Sequence, residues 1–144
     1  MAKRILVPLG TPEADQGVLP LVATVARDTG ATVRLLRVYP IPEHIVGSHG
    51  RTVAYVDQEM DRLSRQGVME LKAIAATTLA GVPVETVVRF GEPTAEILIE
   101  AEAFGADLIA FTTTERSRLR RAVFGSTADN VTRKAPVPTL VLRA

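Results

Sequence analysis

The residues of this chain with the clearest chemical potential lie between positions 107 and 127. A buried strand is predicted over Asp107–Thr112, followed by a polar loop and a helix that begins at Gly125 and Ser126. N–H groups at a helix N-terminus bind anions such as phosphate, and glycine lets the backbone approach a ligand closely. Ser126 is a suitable N-cap and forms a capping-box-like pair with Asp129. The stretch is compatible with an anion site and equally with a plain helix start.

Other polar residues give little support for catalysis. His44 and His49 share one predicted loop, but no carboxylate-rich partner motif accompanies them, so a solvated loop is the simpler interpretation. Glu13, Asp15 and Glu115 are candidate acids or bases, yet none is paired with a nucleophile. The chain lacks a dinucleotide fingerprint, a P-loop and a nucleophile elbow. The sequence therefore predicts no catalytic residue and no metal ligand.

Composition excludes several further classes. The chain has no cysteine, so disulfides, thiolate metal sites and cysteine nucleophiles are excluded. A net charge of +1 provides no global field to attract nucleic acid or an anionic membrane. No apolar stretch approaches the length of a membrane span, and the first residues do not form a signal peptide. We therefore expect one cytoplasmic domain, residues 1–144, without nucleic-acid or membrane partners.

Strand and helix patterns alternate along the chain. Short apolar runs predict five buried strands, over Lys3–Leu9, Ala31–Val38, Val82–Phe90, Asp107–Thr112 and Thr139–Leu142. Apolar residues at helical spacing predict four helices, from Thr11 and Pro12 to Gly30, over Val53–Ala80, from Pro93 to Gly105, and from Ser126 to about Lys134. A loop is predicted at Glu43–Thr52, before the second helix. Pro20 predicts a kink in the first helix. The order predicts an α/β fold, a single doubly wound domain with a parallel sheet and helices on both faces.

Three segments resemble the universal stress protein (UspA) family. K-R-I-L-V-P-L resembles its opening strand, G-E-P-T-A-E-I-L-I-E-A-E-A-F-G-A-D-L-I-A its third helix and fourth strand, and G-S-T-A-D-N-V-T-R-K-A-P-V-P-T-L-V-L-R its C-terminal signature. The resemblance implies a five-stranded sheet ordered 3-2-1-4-5 and a homodimer whose last strands pair antiparallel. Pairing of Val137–Leu142 with its symmetry mate would also cover an apolar edge.

Many members of that family bind ATP through a loop spaced Gly, two residues, Gly, nine residues, Gly, then Ser or Thr. Gly125 and Ser126 match this pattern, whereas Thr112 and Glu115 stand where the first two glycines belong. The family's Asp after the first strand, which holds the nucleoside, falls on Gly10. Thr112 is β-branched and resists positive φ, and the Glu115 carboxylate repels phosphate oxygens.

Two hypotheses follow. The first is a dimeric stress-response module that does not bind ATP in the family manner and has no cofactor. At most weak ATP hydrolysis is expected, and it belongs to the second hypothesis. The second is a sensor of ATP, with Mg²⁺, in which an arginine-rich loop neutralises the phosphates; the same arginines otherwise form a solvated surface with Glu115. Those arginines are Arg116, Arg118, Arg120 and Arg121. The cleft is expected between the ends of the first and fourth strands, at Pro8, Gly10, Val38, Phe111, Thr112, Glu115, Arg116, Gly125, Ser126 and Thr127.

Overall fold

A computed structural model describes residues 3–10, 16–42, 49–113 and 123–143. Its strands are β1 (Arg4–Pro8), β2 (Thr32–Tyr39), β3 (Val84–Phe90), β4 (Leu108–Thr113) and β5 (Thr139–Arg143). Its helices are α1 (Leu19–Thr29), preceded by a 3₁₀ turn at Gln16–Val18, α2 (His49–Thr78), α3 (Pro93–Phe104) and α4 (Val123–Lys134). Within the described residues, no helix is long and apolar enough to cross a membrane.

The five strands form one sheet in the order β3-β2-β1-β4-β5, and every neighbouring pair is parallel. This confirms the predicted fold class and strand order. The ladder between β1 and β2 continues to the pair Pro8↔Leu36. The ladder between β1 and β4 contains only Ile5↔Leu108 and Leu6↔Ile109. The carboxyl ends of β1 and β4 are therefore not paired, and the sheet opens at the point where its strand order reverses.

Side chains that alternate along the strands contribute to two apolar cores, one on each face of the sheet. The first core packs α1 and α2 against the sheet through Ile5, Val7, Val22, Ala26, Val33, Leu35, Leu71 and Ile74. The second packs α3 and α4 through Leu6, Leu36, Ile97, Phe104, Ile109, Phe111, Ala128 and Val131. Aliphatic residues fill most of both cores, as the low aromatic content requires. Helices therefore cover both faces, which is the doubly wound arrangement.

The expected kink at Pro20 is wrong. Helix α1 begins at Leu19, and Pro20 therefore lies in its first turn, where the missing N–H removes no helical hydrogen bond. Residues Gln16–Val18 form a tighter turn before it, so the helix begins later than the pattern indicated. The cap and first position predicted at Thr11 and Pro12 lie outside the described residues.

Two other helices begin earlier than predicted. Helix α2 begins at His49 and not at Val53, so His49 is helical and not part of a loop; His44 lies outside the described residues. Helix α4 begins at Val123, which places Gly125 and Ser126 within its first turn. The predicted capping pair of Ser126 and Asp129 is therefore wrong. A glycine or serine within the first turn costs a long or well-packed helix little, so neither residue fixes where the helix begins.

Helix α2 extends beyond the sheet. The backbone of Gly67 lies against the ring of Tyr39, the last residue of β2, because a Cβ atom at Gly67 would stand 3.1 Å from Tyr39 Cε2. Three residues later, Glu70 pairs with Arg37 of the same strand. The helix therefore runs antiparallel to β2, and its residues before Gly67 continue past the carboxyl edge of the strand.

Candidate functional site

The unpaired carboxyl ends of β1 and β4 are the natural ligand position in this fold. Pro8 is the buried last residue of β1, and the partly buried Gly10 follows two residues later. Across the opening, Phe111 and Thr112 belong to the last half of β4. The structure thus brings four of the predicted site residues to the two sides of one opening.

Thr112 closes the side of this opening that faces α1. Its side chain is buried, and its Oγ1 accepts a hydrogen bond of 2.8 Å from the backbone N–H of Val18. Val18 is the N-cap residue of α1 and has no side-chain cap of its own. Thr112 therefore satisfies an N–H group at the start of α1 that an anion would otherwise be able to use.

Two other predicted residues contribute to packing on the opposite face. Phe111 is fully buried in the core formed with α3 and α4, and the partly buried Val38 packs against that core. Because side chains alternate along a strand, Phe111 and Thr112 point to opposite faces of the sheet. Phe111 is thus a core residue under the opening and not an exposed lining residue.

The expected anion end of the site belongs to α4. Gly125 and Ser126 lie in its first turn, the part of a helix whose N–H groups lack intrahelical partners. Thr127 is buried beside the core residue Ala128. Glu115 and Arg116 lie outside the described residues, as do Arg118, Arg120 and Arg121. Among the described residues, no group of three or more His, Asp or Glu side chains could hold a metal ion.

A cluster of ionic side chains between the sheet and α3 was not found from the sequence. Glu100 is buried and accepts hydrogen bonds from Arg34 and Arg89. Burial alone disfavours the Arg34 cation, but its hydrogen bonds to Glu85 and Glu100 raise the pKa of Arg34 above its ordinary value. The hydrogen bond to Glu96 likewise raises the pKa of Arg89. Each arginine of the cluster contacts two carboxylates, and the shared Glu100 connects α3 to β2 and β3.

Sequence reasoning also missed Arg37, a buried arginine of β2 whose side chain is 6% exposed. It points to the same face as the core residues Val33 and Leu35, and it pairs with Glu70 of α2. The signal was present in the sequence, because Val33, Leu35 and Arg37 alternate in a strand predicted to be buried on both faces.

A parallel sheet with helices on both faces and an opening at its switch point defines a doubly wound α/β protein. The model of the universal stress protein family matches residues 1–143. The chain therefore belongs to the universal stress protein family. The comparison with curated proteins finds no match.

Solved structures with this fold cover almost the whole chain. The hypothetical protein MJ0577 is 24% identical, with a TM-score of 0.78 and coverage of 100% of this chain and 97% of its own. The universal stress protein UspA from Lactobacillus plantarum is 25% identical, with a TM-score of 0.71 and coverage of 98% and 97%. A universal stress protein from Archaeoglobus fulgidus, solved in complex with dAMP, is 22% identical, with a TM-score of 0.57 and coverage of 98% and 97%.

Proposed function

We propose that this protein is a dimeric, cytoplasmic stress-response module that does not bind ATP through the glycine loop used by many members of its family. The observation that carries the proposal is the position of Thr112. A glycine there would leave the β4 end open, whereas the Thr112 hydroxyl is held by the Val18 N–H at 2.8 Å. The backbone conformations that glycine permits are also costly for a β-branched residue.

Two further residues support the same conclusion. Gly10, just beyond β1, has no carboxylate with which to hold a ribose. Glu115 adds a negative charge to the loop that would have to approach phosphate groups, and like charges a few ångströms apart repel by a few kcal/mol at an effective dielectric of about 20. A nucleotide would therefore lose favourable contacts at both ends.

Calorimetric titration with Mg-ATP tests this proposal. The natural protein is compared with a variant that carries Gly10→Asp, Thr112→Gly and Glu115→Gly together. A second variant with Gly10→Asn in place of Gly10→Asp controls for side-chain volume. We expect no binding by the natural protein and measurable binding by the triple variant. Binding of Mg-ATP by the natural protein at low micromolar affinity would overturn the proposal.

Because Thr112→Gly also removes the hydrogen bond to Val18, the folded state of each variant has to be checked by circular dichroism before titration. A Gly10→Asp, Glu115→Gly double variant retains Thr112 and serves as the matched comparison. If the double variant binds as tightly as the triple variant, Thr112 does not close the site.

The second candidate function is a nucleotide sensor. It is favoured by the unpaired carboxyl ends of β1 and β4 and by the similar Archaeoglobus fulgidus protein solved with dAMP. In this case the arginines of residues 116–121 replace the contacts that glycines provide elsewhere. We then expect the natural protein to bind Mg-ATP. Binding should disappear when these four arginines are changed to glutamine, and it should persist more weakly when they are changed to lysine.

The dimer is proposed to form through β5, a strand paired with β4 on one side only in the described sheet. Val141 is an exposed apolar residue of this strand, while Leu140 and Leu142 pack against the first core. Pairing of two β5 edges would cover Val141 and remove the open edge. Val141 is therefore the residue to change, since substitutions at Leu140 would also disturb the monomer core.

Sedimentation velocity over a range of protein concentrations tests this interface. We expect a dimer whose dissociation constant rises in a Val141→Lys variant. The constant should stay unchanged in Ile99→Lys, which changes a more exposed apolar position on α3. A natural protein that sediments as a monomer throughout, or a dimer that Val141→Lys does not weaken, would contradict the proposal.

A further inference from the structure

In the described part of the chain, Arg37 is the charged residue with buried side-chain nitrogens that have no hydrogen-bond partner. Its Nη1 donates to Oε2 of Glu70, while its Nε and Nη2 are buried and have no hydrogen-bond partner. The second oxygen of Glu70 is occupied by Gln66, whose Nε2 donates to it at 3.0 Å. Glu70 thus balances the charge of Arg37 but leaves two of its nitrogens unpaired.

The two unpaired nitrogens share one edge of the planar guanidinium. The Nε–H and one Nη2–H bond point in the same direction, in the fork geometry that matches two oxygens of a carboxylate or a phosphate. Arginine can form a bidentate pair with a carboxylate or a phosphate through this edge. Arg37 therefore presents an intact oxyanion-binding edge toward the interior of the fold.

Other arginines of the same sheet show that two unpaired guanidinium nitrogens are unusual here. Arg34 uses Nε and Nη2 to bind Glu85 and Nη1 to bind Glu100. Arg89 uses Nε to bind Glu96 and Nη1 to bind Glu100. Both are more exposed than Arg37, yet each has two carboxylate partners. Because a guanidinium keeps its proton and buried donors are rarely left unpaired, the edge of Arg37 calls for an acceptor.

Arg37 lies near the edge of the sheet at which ligands of this fold class enter. It lies two residues before the end of β2, on the face covered by α2, and ligands of doubly wound proteins enter at the carboxyl ends of strands. Glu70 is the exposed half of the pair, with 35% of its side chain accessible. Glu70 therefore contacts solvent while it holds Nη1 of the buried Arg37.

We propose that Arg37 binds a small oxyanion, a carboxylate or a phosphate, in bidentate fashion through Nε and Nη2. The site lies beneath α2 at the carboxyl end of β2. Glu70 holds the guanidinium in place from its other side and competes electrostatically with the incoming anion.

Titration of ¹⁵N-labelled protein tests the proposal directly. Sodium phosphate and sodium acetate are added separately, with sodium chloride as the reference at equal ionic strength, and the arginine Nε–H resonances are followed. We expect a saturable shift of the Arg37 Nε–H signal with at least one of the two anions and none with chloride. The anion that saturates at lower concentration identifies the ligand class.

Three variants separate a bound anion from general salt effects. Arg37→Lys keeps the charge but loses the fork, so binding should weaken about tenfold or more. Glu70→Gln removes the competing carboxylate, so binding should tighten. Arg65→Lys changes an exposed arginine of the same helix, which is 78% accessible and pairs with Asp61, and should bind as the natural protein does.

The opposite results overturn the inference. An Arg37 Nε–H signal that does not respond to either anion means that the edge binds neither of them. In Arg37→Lys the response is followed on the neighbouring backbone amides. If these amides respond to the anion as they do in the natural protein, the anion binds elsewhere. If Arg37→Lys does not fold, Glu70→Gln decides the question, because an affinity that falls or stays constant in this variant contradicts a competing carboxylate.

Discussion

The buried carboxylate of Glu100 provides a quantitative test of the packing between α3 and the sheet. Its side chain is 4% exposed and accepts hydrogen bonds from Nη1 of Arg34 and, at 3.0 Å, from Nη1 of Arg89. The substitution Glu100→Gln keeps the size of the side chain and removes its charge. One oxygen is replaced by an NH₂ group, which is a donor and cannot accept from an arginine.

The cost can be estimated from the bonds that are lost and those that remain. Breaking a buried ion pair by removing one partner costs about 3–5 kcal/mol when the other charge is left unpaired. Here Arg34 keeps Glu85 at 2.6 and 2.9 Å, and Arg89 keeps Glu96 at 2.9 Å. Neither arginine is left alone, so we expect a smaller loss of about 2–3 kcal/mol, similar to one or two hydrogen bonds to charged groups.

Urea unfolding followed by circular dichroism measures this loss, at one fixed protein concentration because association shifts apparent stability. With a slope of roughly 2 kcal/mol per molar urea for a chain of this size, the midpoint should fall by about 1–1.5 M. Glu85→Gln is the matched control, since Glu85 binds the same Arg34 but is 50% exposed. Its cost should stay below about 1 kcal/mol.

The comparison between the two variants decides whether burial matters. If Glu100→Gln lowers the midpoint no more than Glu85→Gln does, the cluster is effectively solvated and the reasoning fails. Added salt gives an independent check. It should reduce the small effect of Glu85→Gln and leave most of the effect of Glu100→Gln, because buried pairs are screened less.

Three further predictions concern single positions and use the same unfolding measurement. Gly67→Ala should destabilise the protein by about 1 kcal/mol, because a Cβ there would stand 2.9 Å from Val88 Cγ2 and the overpacking outweighs the gain in helix propensity. Ala76→Gly, at an exposed position of the same helix, is the control that reports helix propensity alone. Glu92 caps α3, and its hydrogen bond from the Ala95 N–H lowers the pKa of its carboxyl. The advantage of the natural protein over Glu92→Gln should therefore be complete above about pH 4.5 and vanish as the pH falls through the lower folded pKa. Thr112→Val should cost about 1–3 kcal/mol by leaving a buried N–H unpaired, and an unchanged midpoint would remove the support for a closed opening.

The fold could be predicted because its signals are local and repeated. Each strand is an apolar run, and glycines mark the ends of helices where the chain turns left-handed, as at Gly30 and Gly105 with φ of 70° and 69°. Helix starts were less predictable. Gly125 and Ser126 have the composition of a boundary, yet the helix begins at Val123 because apolar residues before them continue the pattern.

The site was only partly predictable, since its contacts join residues far apart in the chain. The substitution of Thr112 for a family glycine was visible in the sequence, but its partner Val18 lies 94 residues away and no local pattern links them. The possible binding role of Arg37 could not be predicted for a different reason. Strand periodicity places it in the core, and an unpaired guanidinium edge becomes visible only when the neighbours of Arg37 are known.

Because α2 extends far beyond the sheet, a small tilt of the helix would move its free end over a larger distance. Its backbone contacts the end of β2 at Gly67, and the 18 residues from there back to His49 extend about 27 Å at 1.5 Å per residue. A tilt of about 5° around Gly67 would move the tip by about 2 Å, a displacement comparable to helix shifts in regulatory proteins. Glu70, the partner of Arg37, lies about one helical turn from Gly67. Small rearrangements of one ion pair would thus be magnified at the rim of the carboxyl edge.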